Sequence, residues 1–558
     1  MWGAASAHAQ QIFGPGEERP EIEEFPGREP AAPLELPAVP APSAEERLSH
    51  GLVVHVRAFA FEGGTVFSAE ELARVTRPFT GRSISSEELL RAADAVTALY
   101  AAQGYVTSGA LVPDQSVEDG VVRIRIVEGR LSAIEVTGQR WFREGYFRDR
   151  LSHAAGAPVS VARLERGLRL LQRNRYVERL HARLEPAARL GESVLHVEIE
   201  ERRPYDLVAE ANNEHSPAIG AIGGRFTPSL GNLLGHADEL SASFDVTEGL
   251  FEWGARYELP LNSYDTRLAG YARASDADVV EEPFRDLGIH SESETYGISL
   301  THPLYRDELH ELSFRVAGER RTLESCLEIL PPVCEPFPFL AGQPNPKQVA
   351  SVLRLIQDWT RATSSDVLAA RMTWSAGLDL WDATTRGSAD GQFFGWLGQA
   401  QWAHRFPEAL LASELVVRAD LQLADDSLLT LEKFALGGQR TVRGYRENEI
   451  VRDNGAVGSL ELRIPVLRTG LGRSLVEVVP FGDIGHGWDA GNDTPDRTLS
   501  SLGIGLRVSP WPWLRGELFW GARLEHVSGP AERDLQDDGI HFRVALHPWE
   551  ALTDLRDY

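Results

Sequence analysis

The sequence has no apolar run of about eighteen residues, and this excludes a membrane protein built from apolar helices. It does not exclude a transmembrane β-barrel, because the strands of a barrel alternate apolar and polar residues. Basic residues are also scarce, with 56 Lys and Arg against 82 Asp and Glu, which gives a formal net charge of -26. This surplus of negative charge repels phosphate backbones, so we expect no nucleic-acid partner.

Motifs of common enzyme sites are absent as well. The sequence contains no GxSxG, P-loop, dinucleotide-binding or HExxH pattern, and its sixteen histidines show no paired spacing for a metal. The acidic pairs Glu281-Glu282 and Asp537-Asp538 fall in predicted loops, where solvation accounts for them more simply than acid-base chemistry. We therefore expect no catalytic residue, no cofactor and no metal site.

The N-terminal fifty residues are predicted to lie outside the folded domains. Residues 1–9 are interpreted as the remnant of a signal peptide, since Ala7-His8-Ala9 has the small-residue pattern of a cleavage site. A disordered alanine-rich end is the alternative. Residues 10–50 are rich in Pro and Glu, and because prolines block a continuous helix, this stretch is predicted to be a linker.

Two compact α/β units follow, at residues 51–130 and 131–203. In the first, Ser85 and Glu88 form the capping box of a helix. The order strand-helix-helix-strand-strand occurs in both units, which indicates an internal repeat. The predicted elements of the first unit are a strand over 53–61, helices over 68–74 and 85–100, a strand beginning at Tyr105 and a strand over 121–127. Those of the second are a strand over 131–138, helices over 141–152 and 161–174, and strands over 177–184 and 194–199.

Residues 204–558 read as long amphipathic strands. Ile540, Phe542, Val544 and Leu546, for example, alternate with more polar neighbours, so that one face suits lipid and the other water. A soluble β-sandwich also alternates, but its strands are usually shorter. We count sixteen strands, and an even number places both ends of a barrel on one side of the membrane. Short breaks are predicted at Pro260, Pro303, Pro407, Pro465 and Pro510-Pro512, and longer polar connections at 275–291, 321–349, 381–391, 424–455, 486–499 and 525–539.

The most informative motif is LGGQRTVRGYRE at Leu436–Glu447, read together with PFGDIG at Pro480–Gly485. The guanidinium of Arg443 presents a planar donor fork that can bind a carboxylate in bidentate fashion. Strand parity places Asp483 on the face opposite to the apolar one, and hence in the lumen. Gly444 permits a positive φ or a close backbone approach. Whether the Arg443–Asp483 pair only holds the loop or helps to gate the pore stays open at this point.

The stretch GYVTSGALVPDQSVEDGVVRIRIVEGRL, from Gly104 to Leu131, resembles the end of the first POTRA domain in the outer-membrane transporters of two-partner secretion, the TpsB family of the Omp85 superfamily. The second unit is similar to their second POTRA domain. The resemblance implies a fold class of two α+β POTRA domains followed by a sixteen-stranded antiparallel transmembrane β-barrel. It places the protein in the outer membrane of a Gram-negative bacterium, with the POTRA domains in the periplasm.

The resemblance also implies a function and its partners. The POTRA domains would recognise an unfolded exoprotein, a TpsA-like adhesin or haemolysin, through its N-terminal secretion domain, and the barrel would translocate it to the cell surface. The other partners are outer-membrane lipid and, during biogenesis, periplasmic chaperones and the barrel assembly machinery. The alternative is an Omp85-type insertase that assembles other barrels; a passive porin is disfavoured because porins have no POTRA domains.

In the resembled family the loop before the twelfth strand, here residues 424–455, folds into the lumen and contacts a motif on the barrel wall. The corresponding loop positions are Val442, Arg443, Gly444 and Tyr445, and the wall positions are Phe481, Gly482, Asp483 and Gly485. An N-terminal plug helix, present in some members, is not predicted here because of the prolines of the linker. Pro548 is expected to break the last strand, and a polar tail at 550–558 follows.

The two cysteines, Cys326 and Cys334, are eight positions apart in the predicted fourth external loop. An even pair in an exported protein fits a disulfide that closes a small loop. Two unrelated free thiols are the alternative.

Overall fold

The computed structural model describes residues 34–35, 53–282, 284–330, 333–336, 347–387, 389–469, 473–491, 495–527 and 533–549. The predicted signal remnant, nearly all of the linker and the polar tail lie outside the described residues. The described residues divide into two compact units, and the principal boundary lies between Arg203 and Pro204.

The first unit begins with a POTRA-like module whose three-stranded sheet has the order β3-β6-β5. The strands β3 and β6 run parallel, and β5 is antiparallel to β6. Capping boxes start both helices, one at Ser68 and Glu71 and the other at Ser85 and Glu88. The elements, numbered from a short strand in the linker, are β1 (Leu34–Glu35), β2 (Val53–Val56), β3 (Ala58–Glu62), α1 (Ala69–Thr76), β4 (Arg82–Ser85), α2 (Ser86–Ala102), β5 (Gly109–Leu111) and β6 (Val121–Val127).

Two predictions for this module were wrong in detail. The strand predicted over 53–61 is interrupted at Arg57, whose amide donates to Gly120 O at 2.7 Å, and its first half pairs with the unpredicted strand β4. The strand predicted to begin at Tyr105 begins at Gly109. The chain turns first, since Tyr105 N donates to Tyr100 O at 2.9 Å.

A second module repeats the arrangement. Its strand β7 is parallel to β9, and β8 is antiparallel to β9, which reproduces the order of the first sheet. The short strand β1 pairs in parallel with the outer side of β8. The elements are β7 (Arg130–Thr137), α3 (Glu144–Ala155), α4 (Val161–Gln172), β8 (Val177–Pro186) and β9 (Glu192–Glu201).

The second unit is a closed antiparallel barrel, in which the first and last strands, β10 and β28, pair with each other. Sixteen strands form its wall, which confirms the predicted architecture. Of the remaining three, β17 pairs with β16, while β22 and β23 pair with each other inside a loop. The strands are β10 (Tyr205–Asn212), β11 (Gly223–Gly231), β12 (Glu239–Val246), β13 (Leu250–Pro260), β14 (Arg267–Asp278), β15 (Ile289–Arg306), β16 (His310–Leu330), β17 (Val333–Pro336), β18 (Lys347–Ala362), β19 (Asp366–Leu378), β20 (Phe394–Arg405), β21 (Glu414–Ala424), β22 (Phe434–Leu436), β23 (Ile450–Arg452), β24 (Asn454–Arg468), β25 (Ser474–Trp488), β26 (Arg497–Trp511), β27 (Leu514–Arg523) and β28 (Ile540–Leu546).

Several wall strands are longer than predicted, because proline does not always end them. Pro303, Pro465 and Pro510 lie inside strands, each at a shift of register with the neighbouring strand. A bulge tolerates the missing N–H of proline, so the strand continues past it. Among the described residues, no helix combines the length and the apolar character that crossing a membrane requires.

Candidate functional site

The connection between β21 and β24, residues 425–453, is called the inward loop below. It contains a 3-10 turn at Thr430–Glu432 and the two-stranded ribbon of β22 and β23, in which Leu436 faces Ile450. Its apolar side chains form a cluster with residues of the wall. The cluster consists of Leu397, Phe434, Leu436, Val442, Tyr445, Ile450, Val457 and Leu499. Each fully buried aliphatic side chain contributes about 1.5–3 kcal/mol, so apolar packing is a substantial part of loop docking.

Arg443, at the tip of the inward loop, is bound to Asp483 of β25. Its Nε donates to Asp483 Oδ2 and its Nη2 to Asp483 Oδ1, both at 2.8 Å, and its backbone N–H donates to Oδ2 at 3.0 Å. The exposed fraction is 3% for the Arg443 side chain and 0% for that of Asp483. The structure therefore brings the two predicted residues together in a bidentate, desolvated ion pair.

The neighbouring strand β24 supplies two further partners that the sequence did not indicate. Arg443 Nη1 donates to Glu461 Oε1 of β24 at 2.6 Å, and Ser459 Oγ donates to Asp483 Oδ1 at 2.7 Å. Ser459 is the register partner of Asp483, so both side chains point to the same face of the wall. The guanidinium of Arg443 is thus shared between two carboxylates.

Aromatic rings of the wall cover the same guanidinium. Its Cζ lies 3.7 Å from the centroid of the Phe481 ring and 5.0 Å from that of Phe519. Both rings are buried, with Phe481 from the predicted wall motif and Phe519 from β27. Stacking of a desolvated arginine on an aromatic face adds a cation–π attraction to the ion pair.

Gly444 fits into a narrow site on the last two strands. Its φ is +94°, and a Cβ at this position would lie 2.7 Å from Gly521 O. Its N–H donates to His541 Nε2 at 3.1 Å, and its carbonyl accepts from Arg523 Nε at 2.5 Å. Because His541 Nε2 accepts here, the proton of the neutral ring is assigned to Nδ1. The need for glycine is therefore both conformational and steric.

The remaining residues of the two motifs lie at the contact between the loop and the wall, with the exception of Gly482. Tyr445 is fully buried, and its hydroxyl donates to Ser500 O at 2.9 Å. Gly485 leaves room for Val442, since a Cβ on Gly485 would lie 2.8 Å from Val442 Cγ2. Gly482 is on the opposite, outward face, near Leu502. Of the predicted wall motif, Phe481, Asp483 and Gly485 therefore meet the loop and Gly482 does not.

Arg446, the residue after the VRGY motif, was missed by the sequence analysis. Its Nε donates to Asp537 Oδ1 at 2.7 Å, and its Nη1 donates to Glu281 Oε1 at 2.6 Å. The acidic pairs that contain Asp537 and Glu281 were predicted to be merely solvated, and for these two carboxylates that prediction was wrong. They come from two external connections that are far apart in sequence, so no local signal could identify them.

The beginning of the inward loop is anchored to a different part of the wall. Glu432, 4% exposed, binds Arg354 of β18, whose Nη2 lies 2.9 Å from both carboxylate oxygens. Arg321 of β16 donates to the same carboxylate at 2.8 Å, and Arg354 Nε also donates to Glu319 Oε2 at 2.8 Å. The loop is thus held to β16 and β18 on one side and to β24, β25, β27 and β28 on the other.

Two remaining candidates lie away from the inward loop. Cys326 is disulfide-bonded and lies in β16, which extends into the predicted fourth loop. The side chain of Cys334 is outside the described residues, so the pairing stays a prediction.

Possible metal-ligand atoms of Asp276, His290 and Glu292 lie within 4.8 Å of one another. The ring of His290 is already hydrogen-bonded to Asp278 at 2.9 Å, and the Asp276 and Glu292 side chains are exposed. We therefore do not assign a metal site to these three residues.

Comparison with known proteins agrees with this architecture. Residues 54–129 match the model of the ShlB-type POTRA domain, and residues 191–329 and 346–508 match that of the haemolysin secretion/activation protein ShlB/FhaC/HecB. The latter match covers more than half of the chain.

Individual relatives have low sequence identity to this chain but align with most of its length. The outer membrane transporter CdiB of Dickeya dadantii is 22% identical over 91% of this chain and 89% of its own length. The outer membrane transporter CdiB-2 of Burkholderia pseudomallei is 23% identical over 66% of this chain, and the match spans 63% of that relative. The structure of CdiB from Escherichia coli superposes with a TM-score of 0.65 at 21% identity, covering 91% of this chain and 92% of that one. The chain belongs to the haemolysin secretion/activation protein family ShlB/FhaC/HecB, the outer-membrane transporters of two-partner secretion.

Proposed function

We propose that this protein exports one large, unfolded exoprotein through the lumen of its barrel, after its POTRA domains have bound the N-terminal secretion domain of that exoprotein in the periplasm. The inward loop carries the proposal. At its start Asp425 N donates to Phe394 O of β20, which continues the β20–β21 ladder by one bond, but the contacts of Arg443, Gly444 and Glu432 with the wall all involve side chains. The two strands of the loop, β22 and β23, pair with each other. Such a loop can leave the lumen without breaking the backbone pairing of the wall, as a regulated passage requires.

The POTRA modules support a polypeptide as the client. In the first module β3 and β5 are the outer strands of the sheet. The outer strand of a sheet presents backbone N–H and C=O groups to which an extended segment can add by β-augmentation. We infer that the secretion domain binds there as an additional strand.

Partners in biogenesis follow from the lipid-facing surface. Ile484, Leu502 and Ile504 are among the large apolar residues exposed on the outside of the barrel. A chain with such a surface must be kept from aggregating before insertion, so we propose that periplasmic chaperones deliver it to the barrel assembly machinery. Outer-membrane lipid then covers these side chains.

Deletion of the gene, followed by quantitative proteomics of the cell surface and outer membrane, tests the function. We expect one large exoprotein to disappear from the surface while other barrels keep their amounts, and plasmid-borne wild-type protein to restore it. Loss of many outer-membrane barrels would favour the insertase instead. An unchanged surface proteome would overturn the transport proposal.

Photo-crosslinking tests the client site. A crosslinker replacing exposed Ala58 on β3 is expected to trap the exoprotein, whereas one replacing exposed Arg166 on α4 is the matched control. Equal trapping at both positions would contradict binding at the sheet edge.

A further inference from the structure

The seam where the barrel closes has short backbone pairing. Strand β10 pairs with β28 only over Ala209–Asn212 and Arg543–Leu546, whereas β10 pairs with β11 over its whole length, Tyr205–Asn212. At the outer end of the seam both the backbone and the side chain of Asn213 continue the ladder, and Asn213 N donates to Phe542 O at 3.2 Å. Asn213 Oδ1 accepts from Phe542 N at 2.7 Å, and Asn213 Nδ2 donates to Ile540 O at 2.9 Å. The closure of this end therefore depends on where Asn213 is held.

Gln536 binds both this end of the seam and the inward loop. Its Nε2 donates to Asn213 O at 2.8 Å and to His215 O at 2.7 Å, and its Oε1 accepts from Glu447 N at 2.9 Å. The side chain is fully buried. Both amide protons and the oxygen are used, which fixes the orientation of the amide, and removal of any partner leaves a buried polar group unsatisfied.

Neighbouring contacts strengthen the same connection. Arg446 of the inward loop binds Asp537, the residue after Gln536, through both carboxylate oxygens at 2.7 and 2.5 Å. The Gly444 N–H donates to His541 of β28 itself. If the inward loop leaves the lumen, Gln536, Asp537 and His541 lose their contacts with the loop together.

We propose that Gln536 is a positioning residue that couples the inward loop to the β10–β28 seam. A docked loop holds the outer end of the seam closed through the Gln536 amide, and an undocked loop loosens it. The coupling goes beyond the proposed transport function, because it is a property of the barrel that does not depend on what is transported. Because such coupling is reciprocal, a seam that is held closed must in turn favour the docked state of the loop.

Hydrogen-deuterium exchange on the purified full chain in detergent or nanodiscs tests the coupling in a double-mutant cycle with Arg443→Ala and Gln536→Met. Arg443→Ala removes the ion pair that holds the loop tip, and we expect it to raise exchange of the seam amides over 205–215 and 540–547 roughly tenfold. In the Gln536→Met background exchange is already raised, and Arg443→Ala adds little. Gln399→Met, another buried lumen glutamine, is the matched control and should leave the seam unchanged.

Equal effects of Arg443→Ala in both backgrounds would overturn the coupling, as would an unchanged seam in Arg443→Ala alone. A second design does not need the Gln536 variant to fold. Cysteines that replace the exposed register partners Ala211 and Val544 can form a disulfide on oxidation, which holds β10 and β28 together. Oxidation is then expected to slow exchange of residues 443–447 severalfold relative to the reduced protein, and no change would refute the proposal. Neither readout uses secretion, so failure of the coupling and failure of the transport function are distinguished.

Discussion

Glu432 of the inward loop and Arg354 of the barrel wall form a buried ion pair, with Arg354 Nη2 2.9 Å from each carboxylate oxygen. The same guanidinium binds Glu319 of β16, so one arginine joins the loop to two neighbouring wall strands. Removing one member of such a group leaves a desolvated charge without its partner, which is more costly than losing an exposed pair.

The variant Glu432→Gln should therefore loosen the beginning of the inward loop. Loss of the carboxylate leaves the buried charge of Arg354 with Glu319 as its remaining acidic partner in the group described above. We expect the free energy of loop docking to weaken by on the order of 3 kcal/mol. Single-channel recording in planar bilayers should show more frequent large-conductance openings. The control is Glu414→Gln, which breaks the more exposed pair with Arg405. Equal channel behaviour of both variants would contradict an anchoring role for Glu432.

Export should depend on the geometry of Arg443 and not only on its charge. Lysine keeps the charge but cannot bind Asp483 through two nitrogens while also reaching Glu461. We expect Arg443→Ala to abolish export and Arg443→Lys to reduce it severalfold, with normal amounts of inserted barrel in both. Exoprotein in the medium and heat-modifiable barrel in the membrane are the measurements. Unchanged secretion would refute a functional role, and loss of the barrel would favour a purely structural one.

Gly444→Ala should impair docking of the loop tip. Alanine is strained at a φ of +94°, and its Cβ would lie 2.7 Å from Gly521 O, a backbone atom that cannot move freely. We expect a penalty of about 1–3 kcal/mol, visible as faster deuterium exchange of the loop. Gly270→Ala is the control, because a Cβ there meets nothing within 4 Å. Equal exchange in the two variants would show that Gly444 is not sterically required.

The first POTRA module should lose stability in acid through Glu128. Burial tends to raise the pKa of this carboxyl, but hydrogen bonds from Thr65, Val66 N–H and Tyr100 outweigh burial and lower the pKa below its usual 4.5. A depressed folded pKa means that the stabilisation is complete above pH 4.5 and is lost as the pH falls through the folded value. Pepsin cleavage within 54–129 should therefore rise as the pH falls below 4.5.

The variant Glu128→Gln should flatten this pH dependence, because it removes the titrating carboxylate. Glu87→Gln is the matched control, since Glu87 forms an exposed pair with Arg91. A steep acid response that persists in Glu128→Gln would assign the effect to other groups.

The predicted disulfide between Cys326 and Cys334 is checked by counting thiols. We expect no reactive thiol in the denatured, unreduced protein and two after reduction, because the sequence contains only two cysteines. Two thiols without reductant would contradict the pairing.

Local chemistry in the sequence was sufficient for most of the helices and strands and for one side of the site. Ser85 and Glu88 identify a helix start because a capping box acts within one turn. Alternation along β25 places Asp483 on the inner face because side chains in a strand alternate strictly. Proline was a poorer guide, since Pro465 lies within β24 at a shift of register that the sequence does not reveal.

The remaining contacts were decided only by closure of the barrel. Arg446 meets Asp537 across 91 positions, and Gln536 meets Asn213 across 323. Such pairs carry no periodicity, because each depends on the stagger of every strand between them and on the pairing of β10 with β28. The sequence alone determined the two modules, the sixteen-stranded barrel and the loop that contains Arg443. Tertiary structure decided which charges that loop meets, since only a closed wall brings distant carboxylates into buried contact with one loop.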